Sequence, residues 1–237
     1  MNTALRNENR HHNQTARATA PDRRLLRASA SALLLITLLS GCTVKYTYLK
    51  PGYEQNDLDR VKRLVLTIQP NPSGTDAADD LILGVAREFI SHHREFIIYT
   101  TRVESPDADW QALCASADAR PDAVLRQKVA RIDHTSNSET TELEIHATMQ
   151  DCRNGDLLWE ARAANSYDSN DADLRTTIES YTRRYGEEAR PYVSAAYLLL
   201  RQLFDELPEP ALNDEEILEK IEADANVSWK RLLYAFF

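Results

Sequence analysis

Between residues 141 and 163 the chain alternates apolar and polar residues twice, and an Asn-Gly pair divides the two runs. Thr141, Leu143, Ile145, Ala147 and Met149 interleave with Glu142, Glu144, His146, Thr148 and Gln150. Successive side chains of a strand point to opposite faces, so this pattern predicts a strand with one face buried and one wet. Residues 151–156 contain Asn154-Gly155, a strong hairpin signal. Leu157, Trp159, Ala161 and Ala163 then alternate with Leu158, Glu160 and Arg162. With residues 123–132 before them, these runs predict an antiparallel meander. Trp159 shares a face with Leu157 and Ala161, which makes it a core residue, with a partner-binding anchor as the alternative.

An amphipathic sheet needs a cover, and the flanking sequence has helical period. Residues 64–68 (LVLTI) are nearly all apolar, as suits an inner strand covered on both faces, and "QPNPSG" ends the run. From about Asp76 the spacing of Leu81, Val85 and Phe89 predicts a helix. Residues 96–99 read as the next strand, and residues 107–117 as a short helix carrying Trp110, Leu113 and Cys114. From Asp171 one helix is expected to run to about Ala189. Pro191 interrupts it, and a second helix places Val193, Ala196, Tyr197, Leu200, Phe204 and Leu207 on one face. "PEP" at 208–210 ends that helix, and Asn213 can cap a short acidic helix over 214–223. The order predicts an α+β fold, strand–helix–strand–helix and then the meander. Helices pack on one face of a mixed, mostly antiparallel sheet, and further helices close the chain.

Upstream lies a segment of another kind. Arg23, Arg24 and Arg27 precede residues 28–39, which carry no charge, and the run ends in Leu39-Ser40-Gly41-Cys42. A basic region, an apolar run too short to span a bilayer and a small-residue site make up a secretory signal. Leu39, Ser40 and Gly41 look like the recognition residues of a bacterial lipobox, with Cys42 the acylated first residue of the mature chain. The competing reading is a buried N-terminal helix with Cys42 as a small hydrophobe. Residues 23–26 (RRLL) also have a faint twin-arginine look. Two or more acyl chains hold a protein stably on a membrane where one does not. Thr43 rather than Asp after the cysteine favours the outer membrane by the enterobacterial sorting rule. The expected organisation is a signal peptide over 1–41, an acylated N-terminus and tether over 42–60, an α+β periplasmic domain over 61–207, and an acidic helix plus amphipathic tail over 208–237.

Loss of residues 1–41 removes six Arg and two acidic residues from 28 basic and 37 acidic ones, leaving 22 and 35, a net charge of −13. Such a chain lacks the basic footprint of nucleic-acid binding and is repelled by anionic lipid, so the acyl chains on Cys42 must hold it to the membrane. Cys114 and Cys152 remain as an even pair, which in an oxidising periplasm predicts a disulfide, with two buried thiols as the alternative.

"VKYTYLKPGYEQND", "KRLVLTIQP", "CRNGDLLWEARAANSYDSND" and "LPEPALNDEEILEKIE" together resemble a family of uncharacterised bacterial lipoproteins known only by locus tags. The resemblance runs from Cys42 to about Glu222, and residues 226–237 depart from it. More distantly, the strand–helix–strand order and the D-x-x-x-G-x-x-x-W spacing of Asp151, Gly155 and Trp159 are similar to envelope lipoproteins. These include the curli-secretion lipoprotein, the N-terminal domain of the Tol translocation protein and the lipoprotein activators of penicillin-binding proteins. The resemblance implies a domain that binds an envelope protein and catalyses nothing.

Catalytic patterns are sparse. The sequence has no nucleophile elbow, zinc-protease helix, P-loop or dinucleotide fingerprint, and no metal or cofactor is expected. His92 and His93 are adjacent and would point about 100° apart on a helix. Asp133 and His134, with Ser136 nearby, would face opposite sides of a strand. Asp76, Asp79 and Asp80 suit a helix first turn as well as a calcium site. Tyr181, Tyr185 and Tyr192 form a loose aromatic line that fits either packing or a partner surface. In the tail, Trp229, Leu232, Leu233, Phe236 and Phe237 recur at helical spacing beside Lys230-Arg231. Three destinations fit that stripe: the chain's own domain, a partner, or the membrane interface. The function expected is a lipid-anchored, periplasm-facing protein-binding or structural element of the envelope. The alternatives are a lipid-anchored hydrolase, or an accessory subunit of an envelope transport or secretion complex.

Overall fold

The computed structural model describes residues 43–72, 74–105, 108–115 and 120–234, with side chains up to residue 225. Six strands form one mixed sheet: β1 (Val44–Leu49), β2 (Arg63–Gln69), β3 (Ile97–Val103), β4 (Ala123–Thr135), β5 (Thr140–Asp151) and β6 (Leu157–Asp168), in the order β1-β6-β5-β4-β2-β3. β2 pairs parallel with β3 and β4, and the other pairs are antiparallel. The helices are α1 (Tyr53–Asn56), α2 (Asp76–His93), α3 (Trp110–Ala115), α4 (Arg175–Tyr185), α5 (Val193–Asp205) and α6 (Asp214–Tyr234). The expected α+β class and meander are present.

Leu64, Leu66 and Ile68 of β2 and Leu143, Ile145, Ala147 and Met149 of β5 join one core with Leu81, Ile82, Ile90, Leu200 and Phe204 of α2 and α5. The opposite side of β2 is dry too, because Val65 and Val124 pack against Leu113 of α3. Cover on both faces explains why residues 64–68 show no alternation. Trp159 is wholly buried, and its Nε1 donates to the Glu206 carbonyl at 3.1 Å. Thr75 caps α2, its hydroxyl accepting from the Ala78 amide at 3.2 Å. Gly84 lets α4 approach α2, since a Cβ there would lie 1.7 Å from the Tyr185 hydroxyl.

Three expectations change. Residues read as a tether form β1, whose backbone pairs with β6 from Val44 to Leu49; a sheet edge with apolar neighbours outcompetes a solvated extended chain. The helix expected to reach Ala189 stops at Tyr185, where Gly186 takes φ +92°, and a 3-10 turn (Glu187–Tyr192) carries the chain through Pro191. The acidic helix and the tail are one continuous helix, α6, to Tyr234. Asn213 caps it as expected: its side chain accepts from the Glu216 amide at 3.0 Å, while Glu216 accepts from the Asn213 amide at 2.8 Å.

Asp79 is a local misfit. It is 5 % exposed, one carboxylate oxygen has no partner, and burial together with Asp76 and Asp80 pushes its pKa up to about 6. The folded state holds the proton more tightly than the unfolded state. The stability this group contributes is therefore fully present below about pH 4 and is lost as pH rises through 6. Asp79→Asn is expected to raise stability at pH 7 by on the order of 2 kcal/mol and to change little at pH 3.5. Urea unfolding at both pH values checks this; an equal effect at the two would refute it.

Candidate interaction surface

The hairpin turn between β5 and β6 is braced by ion pairs, a disulfide and close ring packing. Asp151, at the end of β5, is 1 % exposed and accepts from Arg60 at 2.5 and 3.4 Å and from the Arg153 amide at 2.9 Å. Arg60 also reaches Asp57 at 2.5 Å, and Lys50 lies 3.2 Å from Asp57 and 2.9 Å from Asp156. Burial raises the Asp57 carboxyl, but the hydrogen bonds from Arg60 and Lys50 outweigh it and hold the group below its ordinary range. Gly155 adopts φ +76°, and a Cβ on it would sit 2.5 Å from the Trp110 ring. Next to it, Cys152 is disulfide-bonded to Cys114 of α3, with Cα atoms 5.7 Å apart. The D-x-x-x-G-x-x-x-W spacing thus has a physical content here: buried carboxylate, positive-φ glycine under an indole, and core tryptophan. It braces one end of the sheet.

The two edges of the sheet differ. Along β3 runs α6, held by polar contacts: Glu216 to Lys62 at 2.8 Å, Glu219 to Arg63 at 2.6 and 3.0 Å and to the Tyr99 hydroxyl, and Lys220 to the Arg94 carbonyl at 2.7 Å. Asp224 accepts from Ser91 at 3.1 Å and lies 3.5 Å from Arg87. The β1 edge has no helix beside it among the described residues. Tyr46 and Tyr48 share a face with Arg162 and Glu160 of β6, and Tyr46 is 48 % exposed. An edge strand presents unpaired backbone donors and acceptors to any chain that can extend the sheet. At its start, Thr43 is 8 % exposed; its carbonyl accepts from the Ala164 amide and its hydroxyl from Asn165, both at 3.0 Å.

Beyond β1 the open face of the sheet is laced by cross-strand pairs: His146 with Glu160 at 2.6 Å, Arg162 with Glu144 at 2.7 Å, and Arg131 with Glu142 at 2.8 Å. These side chains pair with one another across the strands, as on a solvated face.

The sequence-derived candidates fall into three groups. The disulfide pair is joined. Tyr181 lies in the core, while Tyr185 and Tyr192 are partly buried against it; Tyr181 and Tyr185 stack at 6.1 Å. Their rings are therefore packing elements, because α4 and the 3-10 turn fold back onto α2 and α5. Leu39, Ser40, Gly41, Cys42 and Phe236 lie outside the described residues, as do the side chains of Trp229 and Leu233. His134 bonds Thr141 at 3.1 Å while Asp133 pairs with Arg131 at 2.7 Å, so the two form no dyad. His92 and His93 are exposed and border an open cleft of about 410 Å³ with Glu88, Tyr197, Arg201 and Asp205. Sequence reasoning missed Tyr46 as a surface residue of the edge, although the Val44, Tyr46, Tyr48 alternation carried the signal. No group of His, Cys, Asp and Glu suited to a metal ion occurs among the described residues, and no helix there is long and apolar enough to cross a membrane.

No family model and no curated protein matches the chain. Among solved structures it is similar to the PelC dodecamer from Paraburkholderia phytofirmans, with 15% identity, 64% of this chain and 89% of that one covered, and a TM-score of 0.39. Lipoprotein GNA1162 from Neisseria meningitidis matches at 14% identity over 52% of this chain and 96% of that one, with a TM-score of 0.34. The hypothetical protein CT253 from Chlamydia trachomatis matches at 11% identity, covering 62% and 92%, with a TM-score of 0.37.

Proposed function

We propose that this chain is a lipid-anchored, non-catalytic protein of the bacterial envelope. It faces the periplasm from the outer membrane and binds a protein partner along β1. The observation that carries this reading is the junction at residue 43. The lipobox-like segment ends one residue before Thr43, which is itself bound into the sheet. An acylated Cys42 would tie the β1 edge to the bilayer with no slack, so position comes from the anchor and recognition from the edge beside it.

Fractionation and crosslinking test the two halves separately. Wild-type chain is expected in the membrane fraction and Cys42→Ala in the soluble one. From wild-type membranes, crosslinking should recover one envelope protein, and Tyr46→Ala should recover about tenfold less of it, the change that 1.4 kcal/mol produces. Equal partition of Cys42→Ala and wild type would remove the anchor. Recovery unaffected by Tyr46→Ala would remove the β1 edge as the binding surface. A ladder of homo-oligomers with a pore protein would favour the accessory-subunit reading instead.

A further inference from the structure

The cleft between α2 and α5 is lined by rings as well as by charge. It encloses about 410 Å³, and buried Val85 and Tyr181 lie at its base. Phe89 of α2 and Tyr197 of α5 add two more rings to the lining. The Tyr181 and Tyr197 rings stand 6.5 Å apart with their planes at 54°. Small-molecule sites are clefts of about 300–1,000 Å³ that join such an apolar, aromatic lining to a few polar groups fixing orientation.

Most of the charged groups in this lining are already engaged. Glu88 pairs with Arg184 at 3.0 Å, and Asp205 with Arg94 at 2.9 Å. Arg94 also donates to the Phe204 carbonyl at 2.8 Å, lies 3.5 Å from Glu209 and stands over the Phe89 ring at 5.8 Å. Arg201 differs. It is exposed, and among the described residues it has no ion pair or hydrogen bond, because Asp205, one turn further along α5, is drawn to Arg94 instead. Arg201 also follows Tyr197 by four residues on α5, so the free guanidinium and the ring are neighbours on one helix face.

A guanidinium presents a planar fork of donors that matches a carboxylate, and the tyrosine ring one turn away offers a contact for a flat apolar body. Glu88 and Asp205 would repel a dianion such as phosphate more than a group of single charge. We propose that this cleft binds a small aromatic carboxylate, its ring against Tyr197 and Tyr181 and its carboxylate on Arg201. The site is separate from the β1 edge and does not depend on the anchor.

Fluorine NMR on the detergent-solubilised full chain tests this, with 4-fluorophenylacetate as the probe and empty micelles as the blank. A ligand of this size is expected to bind saturably in the roughly millimolar range. The uncharged 4-fluorophenylacetamide should bind about fivefold more weakly, the effect of one exposed charge pair. Arg201→Gln should bring the acid down to the level of the amide and leave the amide unchanged. Arg162→Gln, on the open face of the sheet, should change neither. Tyr197→Leu should weaken acid and amide by a similar factor, since it removes the ring contact and keeps the charge. Absence of saturable binding, equal binding of acid and amide, or an acid insensitive to Arg201→Gln would each overturn the proposal. An equal loss with Arg162→Gln would also overturn it, as attraction to surface charge anywhere on the chain.

Discussion

Asp151→Ala is expected to cost about 3–5 kcal/mol of folding stability, the range for removing one partner of a buried ion pair. The carboxylate is 1 % exposed and takes two contacts from Arg60 and one from the Arg153 amide. Alanine leaves Arg60 with Asp57 alone, at 2.5 Å, and its Nε already lacks a hydrogen-bond partner. The retained Asp57 contact places the loss toward the lower end of that range. Asp151→Asn keeps an acceptor oxygen for the Arg153 amide but removes the charge and the second acceptor that faces Arg60, so its loss should be smaller than alanine's only by the contact retained. Urea unfolding followed by tryptophan fluorescence reads both, and a loss below about 1 kcal/mol for Asp151→Ala would show that Arg60 is not held as the geometry implies. A protein of this size has roughly 5–15 kcal/mol in total, so the variant is expected to populate unfolded chain on mild heating.

Replacing Cys114 and Cys152 together by serine is expected to cost about 4 kcal/mol. The bond closes a loop of sequence separation 38, and the chain-entropy relation gives a loss of that size. Reduction of the wild-type protein should lower the unfolding midpoint by the same amount, and reduction should leave the double serine variant unchanged. A midpoint shift under reductant in the serine variant would assign the effect to something other than this bond. Asp151 and Cys152 brace the same turn, so the triple variant should lose less than the sum of the two separate losses. Once the disulfide no longer holds the turn against α3, the Arg60 pair has less structure left to protect.

The local elements were legible in the sequence wherever one face is apolar. The alternation over 141–163 gave the hairpin, the continuous apolar run at 64–68 gave the doubly covered strand, and Asn213 gave the cap of α6, because each depends on neighbours a few residues apart. The bond between Cys114 and Cys152 was reachable from their even number. Less of the candidate site was legible, since a surface is defined by what fails to be covered. Tyr46 reads as part of a tether until β6 is seen beside it, and Tyr181 fits packing or a partner surface until α2 and α5 close over it.

What the residues determined alone is therefore the α+β class, the meander and the Asn213 cap, all of them short-range patterns of polarity and charge. Only the tertiary structure decided that Val44–Leu49 is an edge strand, that Asp151 is buried against an arginine about ninety residues away in sequence (position 60), and that α6 turns Glu216, Glu219, Lys220 and Asp224 inward. In α6 the pattern itself is amphipathic either way round. Which side faces the body is set by the cations Lys62, Arg63 and Arg87, which β2 and α2 bring to one flank and which the helix alone cannot specify.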